Sequence, residues 1–252
     1  MTLGPLLSLA LATPMLSAFA PGEELVFQVK TLGLTSGSVQ FNVGAVETAD
    51  GVPAWPIVML ARSLGMTELL YPIRDRFVSF WNPATGLPIS TSLTANEGGK
   101  KRNLTIHFRR QGTASEANVM LTDPKETRTF TAATPAEARD LQSAVYFLRT
   151  QPLRVGDRVE LPIMAGKRQW ILSAEVVKAV PLETPAGHFD ALLVRLTTAF
   201  SGKLQSRGAI SAYFSSDERH LPLRFDANLA MGKLTAELTA YSAGRESPKT
   251  YR

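Results

Sequence analysis

Thr134-Pro135-Ala136-Glu137-Ala138-Arg139-Asp140-Leu141-Gln142-Ser143-Ala144-Val145-Tyr146-Phe147-Leu148-Arg149 is the one long stretch with helical patterning. Thr134 and Glu137 have the spacing of a capping box, and Pro135 suits the first helical position, which needs no N–H donor. Ala138, Leu141, Val145 and Leu148 recur at helical spacing on one stripe, with Tyr146 and Phe147 beside it. Arg149 falls where a cation favours the helix dipole, and Pro152 ends the run. The pattern predicts a helix over 134–149, packed on a sheet or plugging a sheet-lined cavity.

On both sides of this stretch the patterning is of strands. Leu25, Phe27 and Val29 alternate with Val26, Gln28 and Lys30, and Val39, Phe41 and Val43 alternate with Gln40 and Asn42. Leu104, Ile106 and Phe108 alternate with Thr105 and His107. After the helix, runs of strand character are separated by short turns such as Ala165-Gly166-Lys167 and Thr184-Pro185-Ala186-Gly187. Ser63 to Tyr71 is ambiguous and admits a short helix. So many one-faced strands must curl or close. The expected fold is mainly β: a single large antiparallel curved sheet or barrel-like meander with one central α-helix, spanning 21–241. A polar tail at 242–252 is expected to be disordered.

Leu3 to Phe19 carries no charge, and Ala18-Phe19-Ala20 fits a small-x-small cleavage pattern. Residues 1–20 therefore read as a signal peptide, although no Lys or Arg precedes the apolar run. Pro5 and Pro14 interrupt it, so no transmembrane span is expected.

Chemistry-bearing motifs are sparse. The 252 residues contain no cysteine, which excludes thiol catalysis and disulfides. His107, His188 and His220 lack metal-ligand spacing, and no nucleophile elbow or phosphate loop is present. Glu23-Glu24 and Asp217-Glu218 read as solvated neighbours. The net charge of +5 is dispersed, with no basic stripe for nucleic acid. No cofactor, metal or catalytic residue is assigned. Aromatic residues in strands are the remaining lead, and Phe27, Phe41, Leu141, Val145, Leu148 and Trp170 are the candidate lining of a sheet-enclosed cavity.

Several segments, in order, resemble the bacterial exported family known as domain of unknown function 3108. They are Pro21 to Phe27, Gly37-Ser38-Val39, Arg74-Asp75-Arg76-Phe77, Arg139 to Arg149, Leu153 to Asp157, Thr184 to Phe189 and Phe214 to Leu223. The resemblance implies an export signal and an antiparallel barrel-like fold, and brings no catalytic residues. The first functional expectation is a non-enzymatic protein of the periplasm or cell envelope that binds a hydrophobic or amphipathic, lipid-like ligand. The alternatives are an envelope interaction module with a filled core, which implies a protein partner, and a hydrolase that brings two carboxylates together in one cleft.

Overall fold

The structure, a computed structural model, describes residues 18–111, 114–166, 168–199, 209–229 and 232–244. The elements in chain order are β1 (Glu24–Thr31), β2 (Leu34–Val43), β3 (Glu47–Ala49), β4 (Val52–Ser63), α1 (Gly65–Leu70), β5 (Arg74–Asn82), β6 (Leu87–Glu97) and β7 (Lys100–Gln111). They continue as β8 (Ala114–Thr122), β9 (Thr127–Ala133), α2 (Leu141–Arg149), β10 (Arg158–Ala165), β11 (Arg168–Thr184), β12 (Gly187–Ala199), β13 (Ile210–Ser215), β14 (Pro222–Leu229) and β15 (Gly232–Ser242). All strands belong to one antiparallel sheet in the order β10-β11-β12-β13-β14-β15-β1-β2-β4-β5-β6-β7-β8-β9, with β3 paired only to β4.

Two meanders are thus joined where β15 pairs with β1. Alternation makes each strand one-faced: Leu25 and Phe27 of β1 are buried, as are Ile106 and Phe108 of β7. Register shifts at Val26/Phe27, Val29/Lys30, Phe80/Trp81, Val176/Lys178 and Tyr213/Phe214 add local twist and let the sheet coil. The sheet does not close. Its edge strands, β9 and β10, are joined by the segment that carries α2. Pro162 is tolerated in β10 because that strand is an edge.

The connection seals the gap between the edges. Arg139 N–H donates to the Pro162 carbonyl at 2.9 Å, and Met164 N–H donates to the Arg139 carbonyl at 2.7 Å. Ala138 and Met164 pack with Ile106, Phe108, Ala117 and Val119 from the opposite meander. Helix α2 then lies inside the coil. Its Ala144 and Leu148 pack on Leu161, Leu172, Val194 and Phe214, and its Tyr146 packs on Val43, Ile57 and Trp81. The helix is a plug between the two halves.

The helix is shorter than the sequence pattern suggests, running 141–149 rather than 134–149. Its capping box is Asp140 with Ser143: Ser143 N–H donates to Asp140 Oδ1 at 2.8 Å, and Asp140 N–H donates to Ser143 Oγ at 3.1 Å. The Thr134–Glu137 box does not cap a helix. The carbonyls of Ala136 and Ala138 accept from the Arg110 guanidinium, and that of Arg139 accepts from β10, so they are not free for helical bonds. The expected stripe is also rotated. Leu141 is 54% exposed, whereas Tyr146 and Arg149 are fully buried. The short helix admitted at 63–71 is α1. Residues 1–17 of the expected signal peptide and 245–252 of the expected tail lie outside the described residues.

Candidate functional site

Phe27 is buried with Leu25, Leu221, Leu223 and Leu238, and its ring meets Phe41 edge-on at 5.9 Å. Phe41 bridges from there to Tyr146 at 6.5 Å. Leu148, Val145 and Trp170 belong to the cluster around Leu161 and Val194. Five of the six residues singled out from the sequence therefore lie in packed clusters. Leu141, on the exposed side of α2, joins none of them.

A buried ionic site lies at the C-terminal end of α2. Arg149 places Nη1 and Nη2 each 2.7 Å from the two carboxylate oxygens of Glu23, a bidentate pair removed from water. Nη2 also donates to the Ala18 carbonyl at 2.9 Å, and Nε to the Arg219 carbonyl at 3.3 Å. The guanidinium stands over the rings of Tyr146 and Phe19, at 5.0 and 5.2 Å. Burial alone would lower the Arg149 pKa, but Glu23 more than offsets it and raises it. Burial, with the Glu23 charge, pushes the Tyr146 hydroxyl well above its ordinary value. His220, held at φ +38°, donates from Nδ1 to the Arg149 carbonyl at 2.9 Å and so caps the helix. Glu23 is thus no solvated neighbour of Glu24. Phe19, the middle residue of the Ala18-Phe19-Ala20 pattern, is 4% exposed and meets Tyr146, Trp81 and Trp55 edge-on at 4.6, 5.6 and 5.8 Å.

At the N-terminal end of α2, Asp140 is buried and its Oδ2 accepts from Ser79 Oγ at 2.7 Å and Thr91 Oγ1 at 3.0 Å. Arg139 stacks over Phe147 at 3.8 Å and donates to the Gly86 carbonyl. Burial and the nearby Arg110 charge lower its pKa to about 10, against the pull of Asp140 and Glu137. Gly86 is at φ +65°, and a Cβ there would press on the Trp81 ring at 3.4 Å. These residues hold α2 and the β5–β6 turn as one unit.

A cleft opens beside that turn. Pairing between β6 and β7 stops at Ser90↔His107, although β6 runs back to Leu87 and β7 runs on to Gln111. The strands part there and leave a wedge of about 790 Å³. Its apolar surface comes from Val52, Leu87, Ile89 and Phe108. Arg110 spans it, donating to Pro88, Ala136 and Ala138 carbonyls at 2.7, 2.7 and 2.8 Å, and burial lowers its pKa. Arg109 and His107 stand on the outer side, where His107 Nδ1 lies 3.2 Å from Asp50 Oδ2. Among the described residues, no hydroxyl is hydrogen-bonded to His107. A second cleft of about 520 Å³, on the β11–β12 hairpin, is lined by Glu183, His188 and Asp190, all exposed. No group of His, Asp and Glu among the described residues is placed to hold a metal ion.

A family model for DUF3108, described as a protein of unknown function, matches residues 26–239. The chain belongs to the DUF3108 family. No curated protein matches it. In fold, the DUF3108 chain is similar to a β-barrel-like protein of domain DUF1849 from Brucella abortus, with a TM-score of 0.60 at 10% identity over 89% of this chain and 98% of that one. A protein of Chlamydia trachomatis, CT021, aligns at a TM-score of 0.37 and 12% identity over 93% of each chain. Among the described residues of this DUF3108 protein, no helix is long and apolar enough to cross a membrane.

Signals for the wedge were sparse in the sequence. Arg109-Arg110 is one short cluster of a dispersed net charge, and only the fold shows Arg110 turned inward and Arg109 out. The Glu23–Arg149 contact joins residues 126 apart and has no local signature.

Proposed function

We propose that this protein is a non-enzymatic protein of the cell envelope that binds an anionic amphipathic molecule, lipid-like in character, in the wedge between β6 and β7. The carrying observation is that one cleft joins an apolar floor to a lip that bears Arg109 beside the Asp50–His107 pair. Val52, Leu87, Ile89 and Phe108 suit a hydrocarbon segment, and the Arg109 guanidinium suits an anionic head. The volume is that of an ordinary small-molecule site. The coil interior supports this placement, since five of the six candidate cavity residues lie in packed clusters and the wedge is open. The envelope setting is supported by the uncharged run from Leu3 to Phe19.

Calorimetric titration with lysophosphatidylglycerol below its micelle concentration tests the reading. Saturable binding is expected, with Arg109→Glu weakening it about tenfold or more, as loss of one favourable charge contact and gain of a repulsive one implies. A neutral amphiphile of equal chain length is expected to bind more weakly and to ignore the substitution. Absence of saturable binding, or binding indifferent to Arg109→Glu, overturns the proposal.

A further inference from the structure

The opposite end of β4 and β5 from the wedge carries an unusual surface. The β1–β2 turn exposes Leu32 and Leu34, at 70% and 75%. Helix α1 buries none of its residues, and exposes Met66, Leu69 and Leu70 at 67%, 78% and 78%. Leu64 and Tyr71 flank it, each more than a third exposed. These side chains form one surface. Leu64 N–H donates to the Ser36 carbonyl at 2.9 Å, which ties the start of α1 to β2 just past Leu34. Gly98 N–H donates to the Pro72 carbonyl at 2.9 Å, which ties the end of α1 to the β6–β7 turn. The five most exposed large apolar side chains among the described residues all lie here. Single exposed leucines are common, but a contiguous set on adjoining loop tips marks an interaction site.

The charges around the patch select its partner. Lys100 and Lys101 follow the β6–β7 turn, and Arg62 precedes Leu64. All three are exposed, and none forms an ion pair among the described residues. Of the acids beside it, Glu68 and Glu97 are matched by Arg74 and Arg102, and Asp75 accepts from the Asn96 N–H at 2.9 Å. An apolar tip with unmatched cations at its border is complementary to a surface with an apolar interior under anionic headgroups. We propose that this end of the sheet docks on an anionic lipid bilayer, inserting Leu32, Leu34, Met66, Leu69 and Leu70 to interfacial depth. The docking surface is separate from the wedge, and neither proposal depends on the other.

The test is co-sedimentation of the purified chain with vesicles of phosphatidylethanolamine containing 30% phosphatidylglycerol, against vesicles of phosphatidylcholine alone. Binding is expected to the anionic vesicles and to weaken in 0.5 M salt. Burying one leucine is worth about tenfold in partitioning, so Leu69→Ser with Leu70→Ser is expected to reduce binding about a hundredfold. Lys100→Glu with Lys101→Glu is expected to reduce it at least twentyfold, and only on anionic vesicles. All four positions are exposed, so each variant is expected to keep the parent thermal midpoint and its wedge binding. No binding to either vesicle overturns the proposal. So does equal binding to both, and so does a monomer–dimer equilibrium that Leu69→Ser with Leu70→Ser abolishes without any vesicle binding, which would assign the patch to a second copy of the chain.

Discussion

Replacing Arg149 with Met isolates the buried pair. Met keeps most of the aliphatic volume and removes the guanidinium, leaving the Glu23 carboxylate fully buried without its countercharge. Breaking such a pair from one side costs about 3–5 kcal/mol, a large share of the roughly 5–15 kcal/mol that holds a domain folded. The Coulomb attraction alone does not set this figure, because the two ions had already lost their water. The comparison that isolates the cause is Glu23→Leu with Arg149→Met. With both charges gone, the main residual cost is the loss of the donors to the Ala18 carbonyl and, at the longer 3.3 Å, the Arg219 carbonyl, together about 1–3 kcal/mol. The double variant is therefore expected to be about 2 kcal/mol more stable than Arg149→Met alone. Urea unfolding at neutral pH, followed by tryptophan fluorescence with the slope checked for constancy, reads both values. If Arg149→Met costs less than 1 kcal/mol, or the double variant is no better than the single, the stranded-charge reasoning is refuted.

Asp140→Ala removes a helix cap and two hydroxyl partners together, and is expected to cost about 2–4 kcal/mol, against about 1 kcal/mol for Ser79→Ala, in the same urea assay. Asp226 supplies the pH dependence: burial would raise its pKa, but the Thr235 hydroxyl, Arg224 and Lys233 outweigh this and hold it below its ordinary 3.8. Its stabilising contribution is then complete above 3.8 and lost as pH falls through the lower folded value, so Asp226→Asn is expected to flatten the acid limb of stability against pH below about 4 while lowering stability at neutral pH. Thermal midpoints between pH 2.5 and 7 check this.

Strand alternation carried the fold class because each strand presents one face to a single curled interior, as Leu25 and Phe27 or Ile106 and Phe108 do. The helix was legible in kind but not in extent. Two capping patterns, Thr134–Glu137 and Asp140–Ser143, compete in one stretch, and the choice between them rests with Arg110, a residue on another strand that claims the intervening carbonyls. Arg149 had a sufficient local explanation at a helix C-terminus, which hid its role as the partner of Glu23. The wedge depends on where pairing stops between two strands that each continue, a property of register that residue types do not encode. The apolar tip was ambiguous for a related reason. A six-residue helix that buries nothing has no periodic stripe to find.

Phe19 sits among two tryptophans and a tyrosine, and the carbonyl of the residue before it holds the buried guanidinium. Ala18 and Phe19 are thus parts of the packed core, at 7% and 4% exposure. A peptidase that severed the chain after Ala20 would carry both away and leave a void the size of an aromatic ring. The same cut would leave one guanidinium donor of Arg149 without its acceptor.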